Sequence, residues 1–450
     1  MSVQPSVQPA ARSSVGRAPA REAAVPFVPH VAVDSPRLAG LRATYAPLWE
    51  RIAAGAVGRE LDGELPVEQV AWLKAAGFGA VRVPREHGGE GLSLPEVTQL
   101  WIELAAVDSN LPQAFRGHFA LVEDRLWQHA RGSDQARWFD RFAAGEIAGN
   151  AWSEVGATEI GTQRTVLTRL AGGDYRLDGT KYYTTGTIYA EWVDVYALRD
   201  EGDEGDEGEG GAGVGGADDF AIAIVDTRRS GVSVVDDWDG FGQRGTGSGT
   251  TSFDAVRVPA EDVLAFEERF PHQTALYQLN LLATLAGIGR AALADAVTEV
   301  RRRERNYSHA NAARVRDDAQ VLARIGEIAA AVYAAEAATL RVAEALQAVA
   351  DSAHGDPERT RRLVEVGEIE SSTAQVVVTD LVLRATNDLF DTLGASATAR
   401  GRALDRHWRN ARTVSSHNPR ILKARVVGDH LVNGATPPYA WSIGATRRDR

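Results

Sequence analysis

Between about Pro36 and Ile147 apolar residues recur three and four apart, as in 66-PVEQVAWLKAAGF-78 and 94-LPEVTQLWIELAAV-107, so this stretch is expected to be helical. Turn signals such as 84-PREHGGEG-91 divide it, and Ser35 followed by Pro36 marks a helix start. The period changes after Gly149. Short β-branched and aromatic runs, 173-GDYRLDGTKYYTTG-186, 192-WVDVYALRD-200, 220-FAIAIVDT-227, 231-GVSVVDDW-238 and 251-TSFDAVRVP-259, predict an antiparallel sheet or barrel. From about Arg269 long helices return. Val321, Ile325, Ile328 and Val332 keep one apolar stripe, and 363-LVEVGEIESSTAQVVVTDLVLRATNDLFDTLG-394 runs for many turns. Long striped helices joined by short connections predict a helical bundle.

The expected division is a disordered tail over 1–35, an N-terminal helical domain over 36–148, a β domain over 149–262 and a bundle over 263–450. Composition adds exclusions. The chain has no cysteine, which removes disulfides and thiolate chemistry, and its ten histidines form no metal-binding pair, so no metal is expected. The formal charge of −12 is partly local, because residues 200–219 carry nine acids and no base; that Gly-rich run is expected to be a solvated loop. The remainder is nearly neutral, without a basic stripe for nucleic acid. No apolar run reaches the roughly 18–20 residues of a membrane span and no secretory signal is evident, so a cytoplasmic protein is expected.

Four stretches invite a chemical reading. In 236-DDWDGFGQRGTGSGTTSFDAVRVP-259 five glycines surround one arginine; the loop is either a strand connection or a set of N–H groups approaching a polar ligand. Trp238 ahead of it reads as a core aromatic. In 180-TKYYTTGTIYAEW-192 one strand face would present Tyr183 and Thr185 together, and Asn150 and Ser153 stand at the entry to the β domain. The fourth, 408-WRNARTVSSHNPRILKARVVGDHLVNG-434, gathers arginines, asparagines and His417 just before Pro419.

In this order, between two helical segments, these motifs resemble the acyl-CoA dehydrogenase superfamily from about residue 36 to the end. The resemblance implies an α+β fold: an N-terminal helical domain, a middle β-barrel and a C-terminal four-helix bundle, assembled as a homotetramer. In the dehydrogenases the C-terminal stretch carries a glutamate base; here that position falls on Asn418, which cannot accept a proton at neutral pH. Nor does 276-LYQLNLLAT-284, on the first bundle helix, hold a carboxylate. The motifs LDRHWRNART, GDHLVNG and DDWDGFGQR resemble instead the superfamily's flavin-dependent monooxygenases, including the dibenzothiophene and dimethyl sulfone groups.

That resemblance implies a two-component enzyme: a separate flavin reductase supplies reduced FMN, O2 is trapped as a flavin C4a-peroxide, and a small sulfur-containing or apolar aromatic substrate is oxygenated. FAD is the alternative cofactor, and an FAD-dependent acyl-CoA dehydrogenase-type oxidoreductase the alternative activity. By motif match His417 would lie at the flavin, with Asn418 orienting and His118 on the substrate side. Tyr183 and Trp238 would wall the ring, while Asn150, Ser153 and Thr185 would meet its polar edge. Arg303 or Arg305, the latter favoured by its spacing to Tyr307, would hold the phosphate of an adjacent subunit's cofactor. Arg412 and 394-GASAT-398, with Ser396 where dibenzothiophene monooxygenase has an arginine, would complete that end.

Overall fold

The computed structural model describes residues 35–155, 162–200 and 220–439. The expected tail over 1–35, apart from Ser35, and the acidic run after Asp200 lie outside the described residues.

Six helices come first: α1 (Pro36–Asp62), α2 (Val67–Ala75), α3 (Leu94–Val107), α4 (Asn110–Ala114), α5 (Arg116–Ala130) and α6 (Ala136–Ala143). Their starts follow from local chemistry. Ser35 accepts a hydrogen bond from the Leu38 N–H ahead of α1, and Ser93 and Glu96 cap α3 reciprocally.

Eight strands follow among the described residues: β1 (Ala148–Ala151), β2 (Val166–Arg169), β3 (Tyr175–Lys181), β4 (Trp192–Asp200), β5 (Phe220–Asp226), β6 (Val232–Val235), β7 (Thr250–Val258) and β8 (Val263–Ala265). The hydrogen-bonded path is β6-β7-β3-β2-β4-β5-β8. The expectation of an antiparallel sheet is corrected here: β4 pairs in parallel with both β1 and β2 along one edge, so the sheet is mixed. The reason lies in the chain path: β2 turns into β3 by a hairpin, and both β1 and β2 reach β4 only through intervening chain, never by a direct hairpin. Alternation along β4 sends Val193, Val195 and Ala197 into the sheet's own core, while Trp192 and Tyr196 face Trp138, Phe139 and Phe142 of the helices.

The third segment is built on α7 (Gln273–Arg302), α8 (Ala319–Ala350) and α9 (Pro357–Asp388), followed by α10 (Asp405–Ser415) and α11 (Lys423–Asn433). The fourth helix of the bundle is thus broken. α10 ends at Ser415, Pro419 cannot continue it, and residues 416–422 form the break before α11. His417 and Asn418 sit in that break. α7 has the length and apolarity of a membrane span, but two thirds of its apolar window is buried, packed by α3, α8 and α9.

The two helical segments are not separate cores. α3 lies against α7, and one apolar cluster runs from Leu38 and Trp101 through Leu279 to Val382. Gly287 permits the approach: a Cβ there would lie 2.4 Å from the Ala105 Cβ and 2.5 Å from the Ile102 carbonyl. Gly287→Ala is therefore expected to destabilise the protein by about 1–3 kcal/mol through overpacking. Thermal unfolding checks this, and an unchanged melting temperature would contradict the close α3–α7 contact.

Candidate active site

The α4–α5 junction touches both the sheet and the bundle, and the site forms around it. Gly117 lies against the chain of β1: a Cβ there would meet the Asn150 N at 2.9 Å. Gly186, at φ 80°, comes still closer to α4, with a Cβ position 2.1 Å from the Ala114 carbonyl. Only glycine fits at either place.

The sheet side of the site brings together five of the expected residues. The Asn150 N–H donates to the Thr185 carbonyl at 3.3 Å, and the Tyr182 N–H donates to the Ser153 carbonyl at 2.9 Å. The Thr185 hydroxyl meets the Ser248 hydroxyl at 2.8 Å, and Ser248 meets Thr246 at 2.7 Å. Tyr183 is half exposed at φ 58° and stands edge-on to Trp238, ring centres 5.8 Å apart. Trp238 is thus a half-buried wall of the recess rather than a core aromatic.

A flat ring with a polar edge fits this wall. Asn150 Oδ1 is buried and has no hydrogen-bond partner in the protein, so it awaits a donor of the kind a reduced flavin ring carries. The aromatic pair supplies the apolar face. Asn150, Ser153, Tyr183, Thr185 and Trp238 are the residues that would hold such a ring.

The glycine-rich loop 240–249 does something else. Its Gln243 N–H donates to Asn410 Oδ1 at 2.5 Å, and its Gly245 N–H donates to Asn110 Oδ1 at 3.1 Å. Arg244 points away toward Gly63. The Gln243 and Gly245 N–H groups thus join the sheet to α10 and α4, which favours the reading of the loop as a connection.

On the bundle side, Arg116 at the first position of α5 lies 4.9 Å over the Tyr277 ring of α7. Its Nε has no partner, nor has the Tyr277 hydroxyl. Burial pushes the Arg116 guanidinium down to about 10. A cation–π contact is worth up to about 2 kcal/mol, less than the several kcal/mol that an ion loses on leaving water. Arg116 escaped sequence reading because nothing in 115-FRGHFALVE-123 separates it from His118.

His417 is exposed in the break between α10 and α11. The protein around it, aided by the nearby Arg116 charge and opposed by a hydrogen bond with Asn418, holds its pKa below the usual histidine range. It is a neutral imidazole at neutral pH, able to donate from one nitrogen and accept at the other.

His118 does not belong to the recess, and its expected place on the substrate side is corrected. It is fully buried, and its two nitrogens are used within the protein: Nε2–H donates to the Gly79 carbonyl at 2.8 Å and Nδ1 accepts from the Ala148 N–H at 3.3 Å. On α5 it points two residues around the helix from Arg116, away from Tyr277, and ties β1 to the turn after α2.

The phosphate candidates also lie elsewhere. Arg303 ends α7, and 26 residues of helical rise put it roughly 39 Å from Tyr277. There it flanks Gly394, whose added Cβ would lie 3.1 Å from Arg303 Nη2 and 3.1 Å from the Tyr307 hydroxyl. Arg303, rather than the favoured Arg305, faces 394-GASAT-398; the Arg305 carbonyl accepts from Arg303 Nε at 3.1 Å. Ser396 and Arg412 are exposed. Within one chain this group cannot serve the His417 recess.

The family model described as the acyl-CoA dehydrogenase N-terminal domain matches residues 43–146, and that for the C-terminal domain matches residues 280–419. Together they span more than half of the chain, which belongs to this family. Dibenzothiophene monooxygenase of Rhodococcus qingshengii is 29% identical over 408 residues, covering 87% of this chain and 92% of that protein. Among solved structures, TdsC of Paenibacillus sp. A11-2, in complex with FMN and indole, aligns with a TM-score of 0.77 at 29% identity, covering 90% of this chain and 99% of that one. The methanesulfinate monooxygenase MsuC of Pseudomonas fluorescens aligns with a TM-score of 0.76 at 26% identity, covering 91% and 99%.

The buried His118 has a thermodynamic signature. Its desolvated ring holds a pKa of about 4 in the folded protein, against roughly 6.5 when unfolded. Below pH 6.5 the unfolded chain therefore binds a proton that the folded one refuses, and stability falls with pH until about 4. His118→Gln is expected to lower stability at pH 7 and to flatten this acid limb, which is worth up to roughly 3 kcal/mol. Melting temperatures across pH 4–8 measure it, and an unchanged slope would show that His118 does not contribute.

Proposed function

We propose that this member of the acyl-CoA dehydrogenase family is a flavin-dependent monooxygenase that uses reduced FMN and O2 to oxygenate a small sulfur compound. The observation that carries the reading is the pairing of neutral His417 with Asn418 in the helix break. The proton-abstracting carboxylate of a dehydrogenase has no counterpart there, whereas a neutral imidazole suits oxygen chemistry.

When bound, reduced FMN supplies two electrons and activates dioxygen. The protein's contribution is to place, shield and manage protons. Tyr183 and Trp238 would bound the ring, and Asn150, Ser153 and Thr185 would meet its polar edge. His417 can hold a proton by hydrogen bond on one nitrogen or accept one at the other, and Asn418 fixes the ring's direction. Desolvation, aided by the Arg116 charge, holds His417 in its neutral form, so it does not act as a free acid that would discharge activated oxygen as hydrogen peroxide.

Finer features belong to the same reading. The roughly 39 Å along α7 between Tyr277 and Arg303 favours a homotetramer in which Arg303, Tyr307 and Gly394 of one copy meet the phosphate of a flavin held by another. A separate flavin reductase supplies the reduced cofactor, and the enzyme works in the cytoplasm.

The test is rapid mixing of the protein, loaded anaerobically with reduced FMN, against dissolved oxygen. A transient flavin spectrum that outlives the oxidation of free reduced flavin is expected. In His417→Ala, product formation should fall by about 10²-fold or more, with hydrogen peroxide rising in its place. Direct return to oxidised flavin in the wild type would sink the monooxygenase reading.

A further inference from the structure

Tyr183 stands at φ 58°, a left-handed conformation that costs a residue with a side chain and persists only where its neighbours hold it. On its C-terminal side the Thr184 N–H and hydroxyl both donate to the Gly249 carbonyl, at 2.9 and 2.8 Å, and the Thr184 and Thr251 hydroxyls meet at 2.7 Å. On its N-terminal side the Tyr182 N–H donates to the Ser153 carbonyl in an isolated bridge. That bridge joins two separate stretches of chain, and Lys181 fastens them. Lys181 is the one lysine among the described residues with no exposed surface. Its ammonium donates to Glu154 Oε1 at 2.8 Å and to Gln163 Oε1 at 2.6 Å, and the Tyr196 ring of β4 lies 5.9 Å away. Glu154, next to Ser153, also accepts the N–H groups of Arg164 and Thr165, each at 2.9 Å.

We propose that Lys181 is a positioning residue for the flavin: through Glu154 and Gln163 it fixes the turn at Ser153 and Tyr183, and with it the wall that receives the ring. The inference rests on the monooxygenase reading and deepens it, because the wall has a use only where a flavin meets it. A buried ammonium is costly even when it is paired, and an apolar side chain of the same length would fill the space at least as well. What an apolar side chain cannot do is hold two oxygens, from two stretches of chain, at set distances. Lys181 gives up packing energy for direction. Direction is what Tyr183 needs, two residues on, to stand edge-on to Trp238 in a conformation it would otherwise leave. Lys181 itself is enclosed and reaches no ligand, so it acts through the turn.

The experiment is anaerobic titration of the full chain with reduced FMN, read by calorimetry and by the circular dichroism that a fixed asymmetric wall imposes on a bound flavin. Lys181→Met, close in length, is expected to raise Kd about tenfold, the scale on which release of a strained residue acts. At saturation its flavin dichroism should also be weaker, which a loss of stability alone does not produce. Gly287→Ala is the control: it disturbs the α3–α7 contact and should leave both readouts as in the wild type. A folded Lys181→Met with wild-type Kd and dichroism would overturn the proposal. So would an equal loss of affinity in Gly287→Ala, which would assign the effect to stability. Should Lys181→Met fail to fold, Glu154→Gln decides the matter: it keeps the shape and removes the charge, and Kd should rise about threefold, whereas an unchanged Kd would overturn the positioning role. Failure of the wild type to bind FMN at all would remove the flavin reading together with this one; tight binding that ignores Lys181 and Glu154 would strike the positioning role alone.

Discussion

The Glu60 carboxylate on α1 is the tie on which the arrangement of the site depends. One of its oxygens accepts from Arg409 Nη1 at 2.6 Å and the other from Asn410 Nδ2 at 3.3 Å, while Asn410 Oδ1 receives the Gln243 N–H of the sheet's glycine-rich loop. Three segments far apart in the chain meet in one buried network. Breaking such a network by removing one partner costs about 3–5 kcal/mol, because a charge is left buried and alone. Arg409 and Asn410 also set the direction of α10, whose C-terminal end delivers His417. A carboxylate in the N-terminal helical segment thereby helps to set where the His417 imidazole stands in the bundle.

Placing the histidine in a break rather than within a helix has a physical logic. Inside a helix His417 would point along a ridge and pack against a neighbour. Beyond Ser415, with Pro419 preventing continuation, the chain turns and leaves the imidazole exposed in the break. His118 shows the contrast: wholly buried, it is bonded through both nitrogens to backbone groups and joins β1 to the helices.

Interior charges are otherwise matched. Arg269 lies 2.5 Å from Asp194, to which Trp152 donates at 3.0 Å, and Arg82 is bidentate to Glu123. Lys181, wholly buried, reaches Glu154 at 2.8 Å and Gln163 at 2.6 Å, which ties the chain after β1 to the end of β3.

Resemblance to the family supplied the grouping of Asn150, Ser153, Tyr183, Thr185 and Trp238 and the place of Asn418 where a dehydrogenase has a carboxylate; the sequence by itself determined the helical–sheet–helical order and the cap at Ser35. These are legible because periodicity, capping and side-chain chemistry are local, and because strand alternation puts fixed residues on one face. What only the tertiary structure decided are the relations between distant residues. Whether Arg116 or His118 faces the recess depends on how α5 is rotated against Tyr277 and β1. The use of the Gly245 and Gln243 N–H groups depends on Asn110 and Asn410, 135 and 167 residues away along the chain. The parallel edges of β4 and the distance between Arg303 and His417 are likewise set by packing. Charge compensation is a property of neighbours in space, so no reading along the chain could show which acid a buried cation such as Lys181 meets.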